Sequence, residues 1–534
     1  MDKSQKTIVL NCDRVERRFA LLHNNRLEEY QIERDDNTPK VGDIYLGRIV
    51  NLDMLLQAAF VDIGAHKNAF LHFHDMLPGY SDLTEQYQQE AEKIAAKRCK
   101  RAAKRPDSKG NAETLRRAGK ITAADIPNIF KPGMEILVQV VKAPISTKGA
   151  RVTTDISIPG RYLVLMPYSD HIGLSTRIES APERERLRKI LSQLELPEGM
   201  GMICRTAGEG QKAAFFKNDL ELLLDSWTKI EQDMESFSAP RLLLTEPTLV
   251  ERTIRDFMTD EINGGIIVDD KEAKKHIVET LKRCGAKKFA SKVVFYDKSE
   301  PIYDYYHVTE QLKTVFQREV KLPSGGAIVI DETEALIAID VNSGRGKNGT
   351  DQPDFILKTN LEAAEEIARQ LRLRNVGGLV VLDFIDMRSS KDRDELYRTM
   401  KKLVKDDRAK TKVLPLSRLG LMEMTRQREH ESIQDQVYTP CPYCSGTGLI
   451  KSVVTMSAEI QRRLTAVLRD RKYKGIPIRI YMHPEVLAQL RSEDAAFFDE
   501  LETKYHHELS FRGDPTLHQE NFRLVDPETD VELK

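Results

Sequence analysis

Apolar and polar residues alternate from the start of the chain. Within residues 1–35, "TIVLNCD" and "RRFALLHNNRLEEYQIE" read as short strands, with "HNN" as a hairpin turn between them. From Val41 to Met76, "VGDIYLGRIVNLDMLLQAAFVDIGAHKNAFLHFHDM" alternates in shorter runs broken by glycines, the pattern of a small β-barrel. Phe60 and Phe70 flank a tight turn at Gly64. Such rings either fill a barrel's core or stand outside it as platforms for nucleotide bases, and spacing leaves both open. "EILVQVVKAP" and "TKGARVTTDISIPGRYLVLMP" add strands. "SAPERERLRKILSQLEL" has helical periodicity, with Ser180 or an adjacent residue as cap and Glu183 placed for a capping box. "GMGMICRTAGEG" reads as a strand running into a turn, with Arg205 and Thr206 at the strand's end. A guanidinium, a hydroxyl and backbone amides there make a workable anion pocket, although such a pair is also common surface decoration. Residues 211–285 are largely helical in pattern, with Trp227 a packing residue.

Further along, "SGGAIVIDETEALIAIDVNSG" predicts strand, turn and strand over Ser324–Gly344. "GGLVVLDFIDM", Gly377–Met387, is apolar enough for a central strand buried on both faces. Between them "TNLEAAEEIARQLRLR" predicts a helix whose stripe is Leu361, Ala364, Ala368 and Leu371, with Arg369, Arg372 and Arg374 pointing elsewhere. Strand, helix, strand indicates an α/β layer. Asp340 and Asn342 are two apart and share one strand face, and Asp383 ends the neighbouring strand. Asp386 falls on the face opposite Asp383, and spacing does not choose between the two. Two carboxylates and an amide oxygen converging there suit magnesium or manganese, which can polarise a phosphate and lower the pKa of water. The competing reading has these acids capping helices or pairing with the many arginines. No Walker lysine loop occurs, which favours phosphodiester hydrolysis over nucleotide hydrolysis.

Length and charge refine this picture. At 534 residues the chain exceeds what one core holds, so several domains or subdomains are expected. The formal net charge is −1, so any nucleic-acid-binding surface must be local. The strongest candidate is Ala91–Lys120, with eleven Lys/Arg against three Asp/Glu: either a solvated insertion or an arm that tracks phosphates. The N-terminus lacks a signal-peptide core, and no run approaches the ~18 apolar residues of a membrane span. Of six cysteines, four are scattered singly, which fits a reducing cytoplasm. The other two, Cys441 and Cys444, form C-x-x-C in "YTPCPYCSGTGLI". Structural zinc takes four ligands, and this motif supplies two.

"GGAIVIDETEALIAIDVNSG", "NLEAAEEIARQLRLRNVGGLVVLDFIDM" and "CPYCSGTG", in this order, resemble the catalytic region of the ribonuclease E/G family. The likeness extends through "AAFVDIGAHKNAFLHFHDM", "TKGARVTTDISIPGRYLVLMP" and "LPEGMGMICRTAGEG", nearly the whole chain. It implies an α+β chain of several subdomains: an RNase H-like subdomain (1–38 and 251–315) split by an S1, OB-type β-barrel (39–150) and a 5′-sensor region (151–250). A DNase I-like catalytic subdomain (316–437), a zinc link (438–451) and a small C-terminal domain (452–534) follow. The implied activity is metal-dependent endoribonuclease cleavage of single-stranded, A/U-rich, 5′-monophosphorylated RNA in ribosomal RNA maturation and messenger decay. Residue by residue, the resemblance implies Asp340 and Asp383 as ligands of Mg2+ or Mn2+. Asn342 is their polar partner, contacting the scissile phosphate or orienting the metal. It implies Arg205 and Thr206 on the terminal 5′-phosphate with Gly160 and Val164 behind them, Phe60 and Phe70 as stacking platforms, and Lys148 as an RNA contact. It also implies that Cys441 and Cys444 share one Zn2+ with the same pair of a second chain, making a homodimer that can pair into a homotetramer. The basic linker at about 77–130 is longer than the family's usual spacing. The alternative is an S1-type RNA-binding protein with an inactive nuclease domain, which requires a broken metal set.

Overall fold

In the computed structural model the "HNN" turn forms as expected: Asn24 and Asn25 adopt positive φ angles of 49° and 63°, the geometry of a tight hairpin. The structure describes residues 5–34, 38–76, 126–144, 148–259, 261–284, 286–333, 335–344, 352–405, 407–427, 432–493 and 495–533. The basic segment, read as either a solvated insertion or a phosphate-tracking arm, lies, through residue 125, outside the described residues. Two compact units divide the chain, Met1–Gln436 and Val437–Lys534.

In the first unit the hairpin belongs to a five-stranded sheet ordered Val293–Phe295, Gly265–Val268, Lys6–Cys12, Glu16–His23, Arg26–Arg34. The last three are antiparallel, and the first two run parallel to Lys6–Cys12. The chain leaves this sheet after Arg34 and returns to it at the helix Leu249–Phe257. The excursion builds a closed five-stranded barrel: Ile44–Asp53, Ala58–Asp62, Ala69–His72, Arg151–Thr153 and Glu135–Lys142, which pairs back onto Ile44–Asp53. Ile49, Val61, Leu71, Val138 and Val152 fill it. A four-stranded sheet follows, covered by the helix Ala213–Ser236 through Phe216, Leu220 and the buried Trp227. The capping box expected at Ser180 and Glu183 does not form. Glu183 is engaged by Arg186 through two charge-assisted bonds of 2.7 and 2.6 Å and by the Gly210 N–H, which outweigh a bond to its own helix end. Glu251 instead reaches back to the Thr248 N–H at 3.0 Å.

The remaining six-stranded sheet is ordered Glu319–Lys321, Ala327–Glu332, Leu336–Asn342, Gly378–Asp383, Leu421–Arg426, Thr411–Val413. The helices Gln352–Leu373 and Ser390–Leu403 pack on one face only. Gly378–Asp383 is central, as expected, but buried on that single face: Val380 and Leu382 are fully covered, while Leu379 is 41% exposed. The expected helix stripe holds, with Ala364, Ala368 and Leu371 in the core and Leu361 packed against it. Arg369 and Arg374 point away from that stripe, as expected, and are nonetheless buried. Arg369 Nε donates to the Leu27 carbonyl (2.7 Å), joining this helix to the first sheet.

The second unit has a three-stranded sheet, Leu509–Gly513, Ile478–Met482, Phe522–Val525, with the helices Val453–Arg469, Pro484–Glu493 and Ala495–Tyr505. Met456, Ile460, Leu464, Ile478 and Ile480 form its core. Among the described residues no helix is long and apolar enough to cross a membrane.

Candidate functional site

Leu336–Asn342 and Gly378–Asp383 run parallel in a register that pairs Asp340 with Asp383. Alternation turns Ile337, Ile339 and Val341 to the helices and leaves Ala338, Asp340 and Asn342 on the open face. Parallel partners point to the same side, so the two carboxylates stand side by side on exposed sheet. Asn342 Nδ2 donates to Asp340 Oδ2 at 2.7 Å, leaving the amide carbonyl as a third hard oxygen. Among the described residues neither Asp340 nor Asp383 caps a helix or pairs with an arginine, so the competing reading of these acids does not hold there. Asp386 lies beyond the strand, at the Ser417–Gly420 turn: a Cβ on Gly420 would sit 3.1 Å from its Oδ1.

The surrounding turns are held from the helix Gln352–Leu373. The fully buried Asn360 donates to the Ile385 carbonyl (2.8 Å) and accepts the Ile385 N–H (3.0 Å), anchoring the chain two residues past Asp383. Glu362 accepts the Ser324 N–H at 2.8 Å, and a Cβ on Gly344 would lie 2.0 Å from the Gly325 carbonyl oxygen. The "SGG" and "NSG" stretches therefore pack backbone to backbone at one corner. A cavity of 360 Å³ elsewhere in this unit, lined by Glu33, Arg252, Asp407 and Arg426 among others, includes none of Asp340, Asn342 or Asp383. An open face beside paired acids suits a polymer, whereas that cavity is lined by mutually paired charges.

Arg205 ends the strand Gly201–Cys204, and Thr206, exposed, opens the next turn. Arg205 Nη1 donates to the Gly160 carbonyl and Nη2 to Asp256 Oδ1, both at 2.6 Å. Burial raises the Asp256 carboxyl, but Arg255 and Arg205 outweigh it and hold it down at about 2, so it stays charged. Gly160 is needed where it is: a Cβ there would lie 2.6 Å from Asp219, whose buried carboxylate accepts the N–H groups of Arg161, Tyr162 and Leu163. Burial pushes the Asp219 carboxyl up in spite of those bonds. Val164 pairs in register with Ile203 on the strand leading to Arg205. The structure thus brings Arg205, Thr206, Gly160 and Val164 together.

On the barrel, Phe60 and Phe70 pair in register, half-buried and outside the core, with rings edge to face at 6.0 Å and 79°. The core reading of these rings is therefore overturned. Lys148 is exposed, and the segment after it runs beside Lys67–Phe70 through the Phe70 N–H bond to the Ala150 carbonyl (2.7 Å).

In the second unit Cys441 is exposed and Cys444 sits in a tight turn, with Ser445 and Gly446 at φ 50° and 85°. The Gly448 N–H donates to Cys444 Sγ at 3.3 Å, and the N–H groups of Gly448 and Gly446 hold this thiol below its ordinary pKa. Among the described residues no group of three or more His, Cys, Asp or Glu is arranged to hold a metal.

Residues 157–429 match the model of the Ribonuclease E/G family. The chain is 36% identical to Ribonuclease G of Escherichia coli (strain K12) over 518 residues, covering 97% of this chain and 99% of that protein. It is 35% identical to Ribonuclease E of the same strain over 556 residues, 99% of this chain and 49% of that protein. It is also 35% identical to Ribonuclease E of Haemophilus influenzae over 537 residues, 99% of this chain and 53% of that protein. The chain belongs to the ribonuclease E/G family.

In this ribonuclease E/G family member, sequence reasoning missed Asn360, Glu362, Asp219 and Asp256. Asn360 carried a signal: a buried amide on the apolar side of a helix needs partners, and here they are the backbone beyond Asp383. Asp256 carried none, because its contact with Arg205 spans 51 residues.

Proposed function

We propose that this ribonuclease E/G family member is an endoribonuclease that hydrolyses single-stranded RNA at Asp340, Asn342 and Asp383. The in-register carboxylate pair on an open sheet face is the observation that carries the reading. Two acid groups and an amide oxygen, without nitrogen or sulfur donors, fit a hard cation such as Mg2+ or Mn2+. Asp340 and Asp383 would hold it, and Asn342 keeps the Asp340 carboxylate in place. When bound, the ion supplies Lewis acidity at the scissile phosphate and a lowered pKa for water. The protein's own residues do the rest. The open face admits a polymer, Phe60 and Phe70 offer rings to bases, and Lys148 offers a cation to the backbone. Arg205 and Thr206, backed by Gly160 and Val164, favour a terminal 5′-monophosphate. The strand order of the first sheet, interrupted by the barrel, supports an RNase H-like subdomain with an S1-type insertion, and the one-sided catalytic sheet supports a DNase I-like one. Precursor ribosomal RNA and messenger RNA in the cytoplasm are the proposed substrates. The inactive-nuclease alternative requires a broken set, and all three residues are present.

Labelled single-stranded RNA incubated with the protein and magnesium is expected to yield fragments with 5′-phosphate and 3′-hydroxyl ends. Cleavage should cease on chelation and run faster on 5′-monophosphate than on 5′-triphosphate RNA. Products with 2′,3′-cyclic ends would overturn hydrolysis, and equal rates on the two 5′ ends would overturn the phosphate pocket.

The two cysteines support a zinc shared between chains. Their turn offers N–H groups to sulfur, as thiolate ligands require, yet supplies half of a tetrahedral set. A two-fold dimer completes it. One zinc per two chains is expected by metal analysis, and Cys441→Ser should shift sedimentation toward monomers. A full zinc per chain would refute the sharing.

A further inference from the structure

The cysteine turn of the second unit is gripped by a segment 75 residues further along the chain. That segment lies between the two outer strands, Leu509–Gly513 and Phe522–Val525, and carries His518, Gln519 and Glu520. It is braced at its base: the Asp514 N–H donates to the Met482 carbonyl of the central strand (2.8 Å), and the Asn521 N–H to the His518 carbonyl (2.9 Å). The His518 ring lies against the Tyr443 ring, with centroids 4.1 Å apart and 37° between planes. The Glu520 N–H donates to His518 Nδ1 at 3.1 Å, so the neutral ring carries its proton on Nε2. Nε2 donates that proton to the Tyr443 carbonyl at 2.5 Å. This carbonyl belongs to the peptide unit that joins Tyr443 to Cys444. The Gln519 N–H reaches the Tyr443 hydroxyl at 3.3 Å, and Gln519 Nε2 reaches the Lys451 carbonyl at 3.3 Å. Glu520 Oε1 accepts the Lys451 N–H at 2.6 Å. The turn is therefore held between its cysteines, at Tyr443, and where it ends, at Lys451.

We propose that His518 is a positioning residue for the shared metal: it presets the cysteine turn so that Cys444 meets the partner chain's pair in the right orientation. This rests on the reading of Cys441 and Cys444 as half of a zinc site completed by a second chain. His518 is not a third ligand, because both of its ring nitrogens are engaged. Its effect passes through the backbone. A peptide unit is planar, so holding the Tyr443 carbonyl fixes the plane on the N-terminal side of Cys444. On the other side, the Thr447 N–H and hydroxyl both donate to the Cys444 carbonyl, at 2.9 and 2.7 Å. With both planes fixed, only the side-chain torsion of Cys444 remains, and the Gly448 N–H on its sulfur limits that. A turn ordered in advance loses little conformational freedom when the metal binds. Two-fold symmetry places the same clamp on both halves of the site, so its removal acts twice.

The test follows zinc and assembly together in the full chain. Zinc-loaded protein is titrated with a colorimetric chelator, and sedimentation is read on the same samples. His518→Ala is expected to hold zinc about tenfold or more weakly, the usual scale for removing a group that orients a metal ligand. It should also sediment as monomers at chelator concentrations that the unchanged chain withstands. His518→Gln should recover most of the affinity, since its amide can donate to the Tyr443 carbonyl. His518→Phe keeps a ring against Tyr443 without either hydrogen bond and should be as weak as the alanine variant. It takes over the test if thermal unfolding of metal-free protein shows that the alanine variant does not fold. Zinc affinity in His518→Phe equal to that of the unchanged chain, alongside a loss in Cys441→Ser, would overturn the clamp and leave the shared zinc standing. Zinc retained in full by Cys441→Ser would overturn the shared site itself. A loss that glutamine fails to restore would also overturn the proposal, since the bond to the Tyr443 carbonyl would then not be what presets the turn.

Discussion

Replacing Asp340 by alanine is expected to slow RNA cleavage by about 10³-fold or more, the scale of ~4 kcal/mol of lost transition-state stabilisation, while RNA affinity stays within a few-fold. Three features of the site make the loss this large. Asp340 is one of only two carboxylates in the proposed cation set, so its removal halves the negative charge that would retain the ion. It also accepts the 2.7 Å bond from Asn342, so the amide loses its anchor at the same stroke. And the neighbouring strand offers no substitute, because the residues paired with Asp340 are Val329 and Asp383. The rings and Lys148 proposed to hold RNA belong to the barrel, and Arg205 to the four-stranded sheet's end, so the proposed binding has sources independent of Asp340. Single-turnover cleavage and a binding titration on the same variant separate the effects. Substantial residual cleavage would remove Asp340 from the catalytic set.

Asp407→Ala should destabilise the first unit by about 3–5 kcal/mol, the typical cost of leaving a buried charge without its partner. Arg426 and Asp407 side chains are each only 5% exposed. Arg426 Nε and Nη2 donate to the two Asp407 oxygens at 2.7 and 3.1 Å, and Nη1 donates to the Val376 carbonyl at 2.6 Å. Arg426 pairs in register with Gly378, where the strand that ends in Asp383 begins. The next residue, Arg408, lays its guanidinium 3.3 Å over the Phe257 ring and donates to the Asp256 carbonyl at 2.8 Å. The loop thus ties the six-stranded sheet that carries Asp340 and Asp383 to the helix that holds Arg205's partner. Urea unfolding of the alanine variant reads the loss. Asp407→Leu combined with Arg426→Met should recover most of the stability, because an apolar pair of similar volume carries no desolvation cost. A small effect of Asp407→Ala alone would mean that water reaches the arginine.

Much of the site was legible along the chain, for a local reason. Alternation over "LIAIDVN" assigns Asp340 and Asn342 to one face whatever the sheet does around them, since the strand period is two. Two asparagines between alternating runs specify the first hairpin, because they tolerate positive φ. The C-x-x-C motif, by its count of two, already shows that one chain offers there only half of a four-ligand zinc set. The one-sided burial of Gly378–Asp383 was not legible, because its apolar run reads the same whether one or both faces are covered.

What the tertiary structure decided concerns partners rather than residue types. Asp383 rather than Asp386 stands beside Asp340 because the parallel register pairs them, and register between strands separated by a 22-residue helix is set by core packing, not by either strand. Phe60 and Phe70 lie outside the barrel because Val61, Ala69 and Leu71 take the inside, a choice made only on closure. Arg205 meets Gly160 and Asp256 across 45 and 51 residues, and Arg369, polar by composition, is buried because the first sheet supplies the Leu27 carbonyl. Periodicity is a property of neighbouring residues and is written in the chain; convergence of distant residues depends on how the sheets pack, and that is written only in the fold.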